Sequence, residues 1–243
     1  QFLDTMAGYC HLDPMTFDAP RLSFSHAVAA PRRPHRVAFA ATIGGSPVDQ
    51  ETENICRDSM RNFKNVGSTV EEITIDLEDL EDTFLALRSQ EFVIDRELQL
   101  QRYRDQIKPD IIWNTELGLE QSIPTLAKAE RARAALYMQF NELFSQYDLI
   151  VTPGANTPAF DVELRYPEAI DGIKLEHYMA ASTLTAAVTI SASPALSLPC
   201  GFDQYGRPIG LQLIGRPRGE AALLAAGALF EVESGLAEQV PID

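Results

Sequence analysis

The stretch SASPALSLPCGFDQYGRPIGLQLIGRPRGE, Ser191 to Glu220, constrains the fold of this chain more than any other. ALSLPCGF and PIGLQLIG are apolar runs with strand periodicity. Leu196 and Leu198 share one face while Ser197 takes the other, and Leu211 and Leu213 share a face that Gln212 opposes. Between them, Asp203–Gly206 has the residues that a type I turn prefers. The stretch is a hairpin with a leucine face, and Glu220 opens a C-terminal helix with an Ala/Leu face that can cover it.

Upstream the periodicity switches between strand and helix. Residues 1–7 read as a helix end closed by Gly8, and Pro14, Pro20, Pro31 and Pro34 mark residues 12–34 as an extended connector. HRVAFAATIG (35–44) reads as a buried strand. Asp49 caps a helix running to about Val66 with Ile55, Cys56, Met60 and Phe63 on one face, and STVEEITI (68–75) is a second strand. Strand, helix and strand in so short a span form a βαβ unit, whose crossover favours a parallel pair. From Leu77 the spacing of Leu80, Phe84, Leu87, Ile94 and Leu98 predicts a long surface-packed helix to about Arg104, stopped by Pro109. Pro124 opens another helix, with Leu126, Ala129, Leu136, Phe140 and Phe144 on its stripe to Tyr147. DLIVTPG (148–154) is a short buried strand, and a helix spans roughly Glu176 to Ile190. The sum is an α/β fold, a mixed β-sheet flanked by helices on both faces.

The chain has 243 residues and a formal net charge of −15, which disfavours electrostatic binding to nucleic acid. The acid-rich EEITIDLEDLED, Glu71 to Asp82, reads as a solvated strand-to-helix junction. No run approaches the ~20 apolar residues that span a bilayer. Cys10, Cys56 and Cys200 are widely separated and make no metal-ligand pattern, so reduced thiols and a cytoplasmic setting are expected. No metal or cofactor site is expected, and the four histidines, His11, His26, His35 and His177, are scattered.

GxSxG, HExxH, P-loop and GxGxxG motifs are all absent. ATIGGSPVD is read as a structural turn at Gly44, Gly45 and Ser46 that leads into the helix capped by Asp49. Cys10 beside His11 is no dyad, because helical neighbours point in different directions.

The stretch TAAVTISASPALSLPCGFDQYGRPIGLQLIGRPRGEAALLAAGALFE resembles the C-terminal region of the amidase signature family, at Pro194, Ser197, Pro199, Gly201, Gly206, Pro208, Gly210, Gln212, Gly215 and Glu220. FSQYDLIVTPGANTPAF, FLDTMAGYCHLDPMTFDAP and RVAFAATIGGSPVDQE are similar to successive family segments, and residues 78–135 are the least specific part. The resemblance implies a partial amidase-signature fold over 1–243: a helix end and extended connector (1–34), a βαβ unit and long helices (35–147), and a C-terminal sheet and helix (148–243). It implies hydrolysis of a carbon–nitrogen amide bond by a serine nucleophile, a cis-serine and a lysine, with backbone N–H groups as oxyanion hole. All of these fall before the position matching Gln1, so no catalytic residue is assigned here. The chain alone is expected to be inactive, a truncated piece that contributes scaffold and one pocket wall.

Substrate-wall candidates are Thr152, Pro153 and Gly154 after the 148–154 strand, with Ser182, Thr185, Thr189 and Ser193 along the helix-to-loop stretch. The glutamine-hydrolysing member of a glutamyl-tRNA amidotransferase is expected to carry Asp where Ser182 aligns, and the family often has Asn and Gly at Thr189 and Ala192. Small neutral residues there favour an uncharged small-molecule amide over glutamine. The expected partners are that substrate and the N-terminal catalytic segment. A homodimer through an exposed sheet edge is also expected, but no nucleic acid and no membrane. The alternatives are a non-catalytic binding subunit that keeps the fold, or an amidotransferase-like glutamine amidase.

Overall fold

The computed structural model of the chain describes residues 1–236. Two short helices, α1 (Phe2–Met6) and α2 (Phe24–Ala29), precede the sheet. The second lies inside the expected extended connector. Ser23 caps it by accepting from the His26 N–H, and Phe24 is buried beneath it, so a cap and one anchor suffice where proline spacing suggested none.

Strand β1 (Arg36–Phe39) is followed by α3 (Gln50–Ser59), α4 (Arg61–Asn65) and β2 (Thr69–Glu72). Asp49 caps α3, as expected, by accepting from the Thr52 N–H. The expected single helix to Val66 breaks at Met60. There the Ser59 hydroxyl donates to the Cys56 carbonyl at 2.6 Å and the Met60 N–H is shared between two carbonyls. β1 and β2 pair in parallel, as the βαβ reading requires, and Ile43 bridges Ile75 beyond them.

Helix α5 (Leu80–Tyr103) occupies the predicted long span. Its stripe packs only in part, since Ile94 and Leu98 stay exposed while Ala86, Ser89 and Leu100 are buried. Pro109 does not merely stop the helix: it sits in the first turn of α6 (Pro109–Leu119), where its missing N–H costs nothing. α7 (Ile123–Gln146) is capped by Ser122 and buries Ala129, Leu136, Phe140 and Phe144. Then come β3 (Leu149–Pro153), a small hairpin of β4 (Ala169–Ile170) and β5 (Ile173–Lys174), and a 3-10 turn at Tyr178–Ser182. The chain ends with α8 (Thr183–Ile190), β6 (Ala195–Phe202), β7 (Pro208–Ile214) and α9 (Glu220–Ser234).

The main sheet has the order β2-β1-β3-β7-β6; the first three strands are parallel, and β7 runs antiparallel to both its neighbours. One face packs α3, α4 and α9 through Phe39, Phe63, Val151, Leu211, Leu213 and Phe230. The other packs α5, α7 and α8 through Ala38, Ile150, Ile214, Phe140, Phe144 and Leu184. Helices therefore lie on both faces. The hairpin leucines fall where alternation placed them, all four on the α9 face. β2 blunts one edge with Glu71 and Glu72, paired to Arg36 at 2.8 Å and Arg57 at 2.7 Å, while Pro199 occupies the β6 edge. Arg36 and the Tyr147 hydroxyl hold the Glu71 carboxyl below its ordinary range.

Cys56 and Cys200 are not apart in space. Their sulfurs lie 3.8 Å from each other where α3 meets β6, and both residues are buried. The contact with Cys200 and burial push the Cys56 thiol well up, so it stays protonated.

The hairpin turn is held by one carboxylate. Asp203 accepts from the Tyr205 and Arg207 N–H groups at 3.0 and 2.8 Å and from the Arg207 guanidinium at 2.5 Å. Burial of Asp203 opposes ionisation, but these donors outweigh it and the pKa lies below its ordinary value. A depressed carboxylate pKa contributes stability that is complete above the unfolded value of about 4 and lost as pH falls through the folded one. The stability gap between the native chain and Asp203→Asn, read from urea midpoints, should therefore narrow on acidification below about pH 4.

Two substitutions test the packing. Phe230 is buried with its ring centroid 5.2 Å from that of Phe63, so Phe230→Ala should cost about 3–5 kcal/mol in chemical denaturation. A methyl at Gly118 would overlap the Ser89 carbonyl where α5 and α6 cross, at 2.8 Å from its carbon and 2.6 Å from Val93 Cγ2. Gly118→Ala gains about 1 kcal/mol of helix propensity. It should nonetheless lower the denaturation midpoint, since forcing two backbones apart costs about 1–3 kcal/mol.

Candidate functional site

β1 and β3 run parallel, so their carboxyl ends open on the same side of the sheet, the usual place for a ligand in an α/β fold. The loops leaving those ends are tied together. Asn156 Nδ2 donates to the Pro47 carbonyl at 2.6 Å, and the Asp49 N–H donates to the Asn156 carbonyl at 2.8 Å. Ser46 Oγ donates to Thr183 Oγ1 at 2.6 Å, which fixes the start of α8 beside the Gly44–Gly45 turn. Both glycines have positive φ, 60° and 70°, a conformation that disfavours any other residue. A cleft of about 320 Å³ lies here, lined by Gly44, Ser46, Leu77, Glu81, Asp82 and Thr183 among others.

Thr152, Pro153 and Gly154 end β3. Thr152 is fully buried; its hydroxyl donates to the Pro153 carbonyl at 3.0 Å and accepts from Gln212 Nε2 at 3.2 Å. The Gly154 N–H donates to the Gly210 carbonyl at 2.8 Å, and a side chain at 154 would meet that same oxygen at 3.0 Å. On the α8 side, Thr185 donates to the Ser182 carbonyl at 3.0 Å and Thr189 to the Thr185 carbonyl at 3.2 Å. Ser182 and Thr185 are half-buried, and Thr189 is exposed one turn further on. Ser193 Oγ is buried without a hydrogen-bond partner among the described residues.

The strand register adds residues that the sequence alone did not mark. Thr152 pairs with Gln212, and Gln212 with Ser197, so a polar row crosses β3, β7 and β6 on the face that carries α8. Alternation opposite the leucines was the signal for Gln212 and Ser197. A second group clamps the start of α8 to α6. His177 Nε2 lies 2.8 Å from Glu81 Oε1, the Trp113 ring packs on His177 and Tyr178, and Asn114 Nδ2 donates to the Tyr178 hydroxyl at 2.6 Å. No sequence motif links Trp113 with His177; only tertiary packing does.

Chemically, Ser182, Thr185, Thr189, Ser193 and Thr152 carry only neutral hydroxyls, whereas the cleft at Thr183 also carries the carboxylates of Glu81 and Asp82. Ser46 uses its hydroxyl on Thr183. Among the described residues, no group of three or more His, Cys, Asp or Glu is placed to hold a metal, and no helix is long and apolar enough to cross a membrane.

A family profile described as Amidase matches residues 1–224, and the chain belongs to the amidase signature family. It is 25% identical to an acylamidase of Rhodococcus erythropolis over 99% of its own length and 51% of that protein's. It is 24% identical to the A component of the glutamyl-tRNA(Gln) amidotransferase of Pediococcus pentosaceus, over 98% of its length and 53% of that protein's. Among solved structures, a bacterial aryl acylamidase superposes with a TM-score of 0.83 at 21% identity, covering 96% of this chain and 50% of the other. A 6-aminohexanoate cyclic dimer hydrolase superposes with a TM-score of 0.79 at 15% identity, over 96% of this chain and 52% of that one. The chain thus spans about half the length of the relatives it matches.

Two variants separate packing from contact in this region. Thr183→Val keeps the shape but removes the partner of the buried Ser46 hydroxyl, and should cost about 1–3 kcal/mol in thermal or urea unfolding. Ser193→Ala removes a buried hydroxyl that has no partner among the described residues, so its unfolding midpoint should equal or exceed that of the native chain.

Proposed function

We propose that this chain forms the scaffold and the uncharged wall of an amide-hydrolysing site whose nucleophilic serine and lysine come from residues outside Gln1–Asp243. In that reading the chain alone is inactive, and the complete site cleaves a neutral, small-molecule carbon–nitrogen amide. The observation that carries the reading is the composition of the wall. Ser182, Thr185 and Thr189 present only neutral hydroxyls, while Thr152 and the Ser193 hydroxyl are buried, in a chain that matches an amidase profile over 1–224.

A glutamine substrate brings an ammonium and a carboxylate, each of which needs a counter-charge in a site that excludes water. Ser182, Thr185 and Thr189 supply neither, and the cleft at Thr183, with Glu81 and Asp82 but no Lys or Arg among the described residues, offers nothing to the carboxylate. An anilide or a simple acyl amide needs only shape and hydrogen bonds. The acylamidase and aryl acylamidase relatives agree with that chemistry, while the amidotransferase relatives keep glutamine as the competing substrate.

The test is to express the reading frame that contains this chain, with any codons upstream of Gln1, alongside residues 1–243 alone. Para-nitroacetanilide and glutamine are the paired substrates. The longer product should hydrolyse the anilide with kcat/KM at least tenfold above that for glutamine, and the shorter should hydrolyse neither. Comparable glutaminase activity would overturn the substrate assignment. Hydrolysis by 1–243 that survives purification would overturn the placement of the nucleophile. In the active protein, Ser182→Asp should raise kcat/KM for glutamine relative to the anilide by about tenfold, by providing the ammonium with a carboxylate.

A further inference from the structure

A cavity of about 400 Å³ lies at the other end of β3 from Thr152–Gly154, between α2, α9 and the proline-bounded segment that enters β1. Its walls are apolar: Ala27, Leu149, Leu223 and Ala226 are among the residues that line it. Its lining also carries the exposed Arg32, Arg33 and Arg216.

Three arginines around one cavity run against the charge of the whole molecule, which carries 35 Asp and Glu against 20 Lys and Arg. The acid lining the same space is Asp148, and one of its oxygens already accepts from the His35 and Arg36 N–H groups at 2.8 and 3.1 Å. Arg33 is partly committed, donating to the Gly67 carbonyl at 3.0 Å. Arg216 reaches only the Tyr147 carbonyl, at a long 3.5 Å, and Arg32 makes no salt bridge among the described residues. Two cations therefore line a largely apolar chamber without a salt bridge among the described residues. The volume is within the range of small-molecule sites, and planar guanidinium groups match a carboxylate's two oxygens.

We propose that this cavity binds an amphipathic monocarboxylate, its apolar body lying between α2 and α9 and its carboxylate meeting Arg216 and Arg32. Charge and shape complementarity alone support this binding, independently of the amide-hydrolase reading. A neutral molecule of the same shape gains only the apolar contact, and a cation is repelled. The binding is specific in sign as well as in size.

Calorimetric titration of the 243-residue chain with decanoate, decan-1-ol and decylammonium tests this. Decanoate should bind saturably at one site, about tenfold or more tighter than decanol, with decylammonium weakest. Raised salt should weaken decanoate and leave decanol unchanged. Arg32→Ala/Arg216→Ala should lose the preference for decanoate over decanol while keeping decanol binding. Ala222 lines the cavity from a position near the surface, so Ala222→Trp should fill the space and abolish both without entering the core. Circular dichroism and a thermal melt confirm that each variant is folded. Equal affinity for decanoate and decanol in the native chain would overturn the proposal without any variant. So would decanoate binding untouched by Ala222→Trp, or no binding of decanoate at all.

Discussion

All five residues of β3 are buried, and this strand is the constraint on which the rest depends. Its backbone is paired on both sides, parallel to β1 and antiparallel to β7, so the direction of the sheet changes across it. Its side chains are shared between the two cores: Leu149 and Val151 face α3, α4 and α9, while Ile150 faces α7 and α8. Each such residue contributes about 1.5–3 kcal/mol of burial. A strand without a wet face leaves no freedom of register, because a one-residue slip would exchange the two sets of contacts.

The elements legible in the sequence were those where two signals agreed. The β6–β7 hairpin combined alternating leucines with a turn whose carboxylate, Asp203, is specific to that geometry. α3 had Asp49 as its cap, and α7 had Pro124 before a clear stripe. Where one signal stood alone, the expectation slipped. Prolines around α2 concealed a helix that needs only Ser23 and Phe24. The α5 helix ends ahead of Pro109 as expected, but the proline also opens α6, which its reading as a stop signal left out. The stripe of α5 was continued to Leu98 by spacing, yet burial at that end passes to Leu100, where α6 and the turn after α5 decide what is covered.

The candidate wall was legible as a set of segments but not as an arrangement. Sequence order brings Thr152 near Gly154 and Ser182 near Thr189, but says nothing of the Ser46–Thr183 bond or the Asn156–Pro47 bond that lock the two sets of loops together. Gln212 was legible as the residue opposite the leucines and as one position of the family resemblance. Its pairing with Thr152 depends on which strand lies beside β7, a property of topology rather than of composition. The wall is consequently stiff. The hydroxyls of Thr152, Thr185 and Thr189 are spent on the protein's own carbonyls, which orders those side chains without any ligand.

The pairing of Cys56 with Cys200 in the seam between α3 and β6 leaves Cys10 as the exposed thiol of the three. The chain therefore carries its own reporter of integrity. Under native conditions a bulky maleimide meets a single accessible sulfur at the N-terminal end, a natural position for a fluorophore. When the seam between helix and edge strand parts, two further sulfurs become available together. The stoichiometry of labelling then counts the population in which that corner of the sheet has opened, without any substitution being introduced.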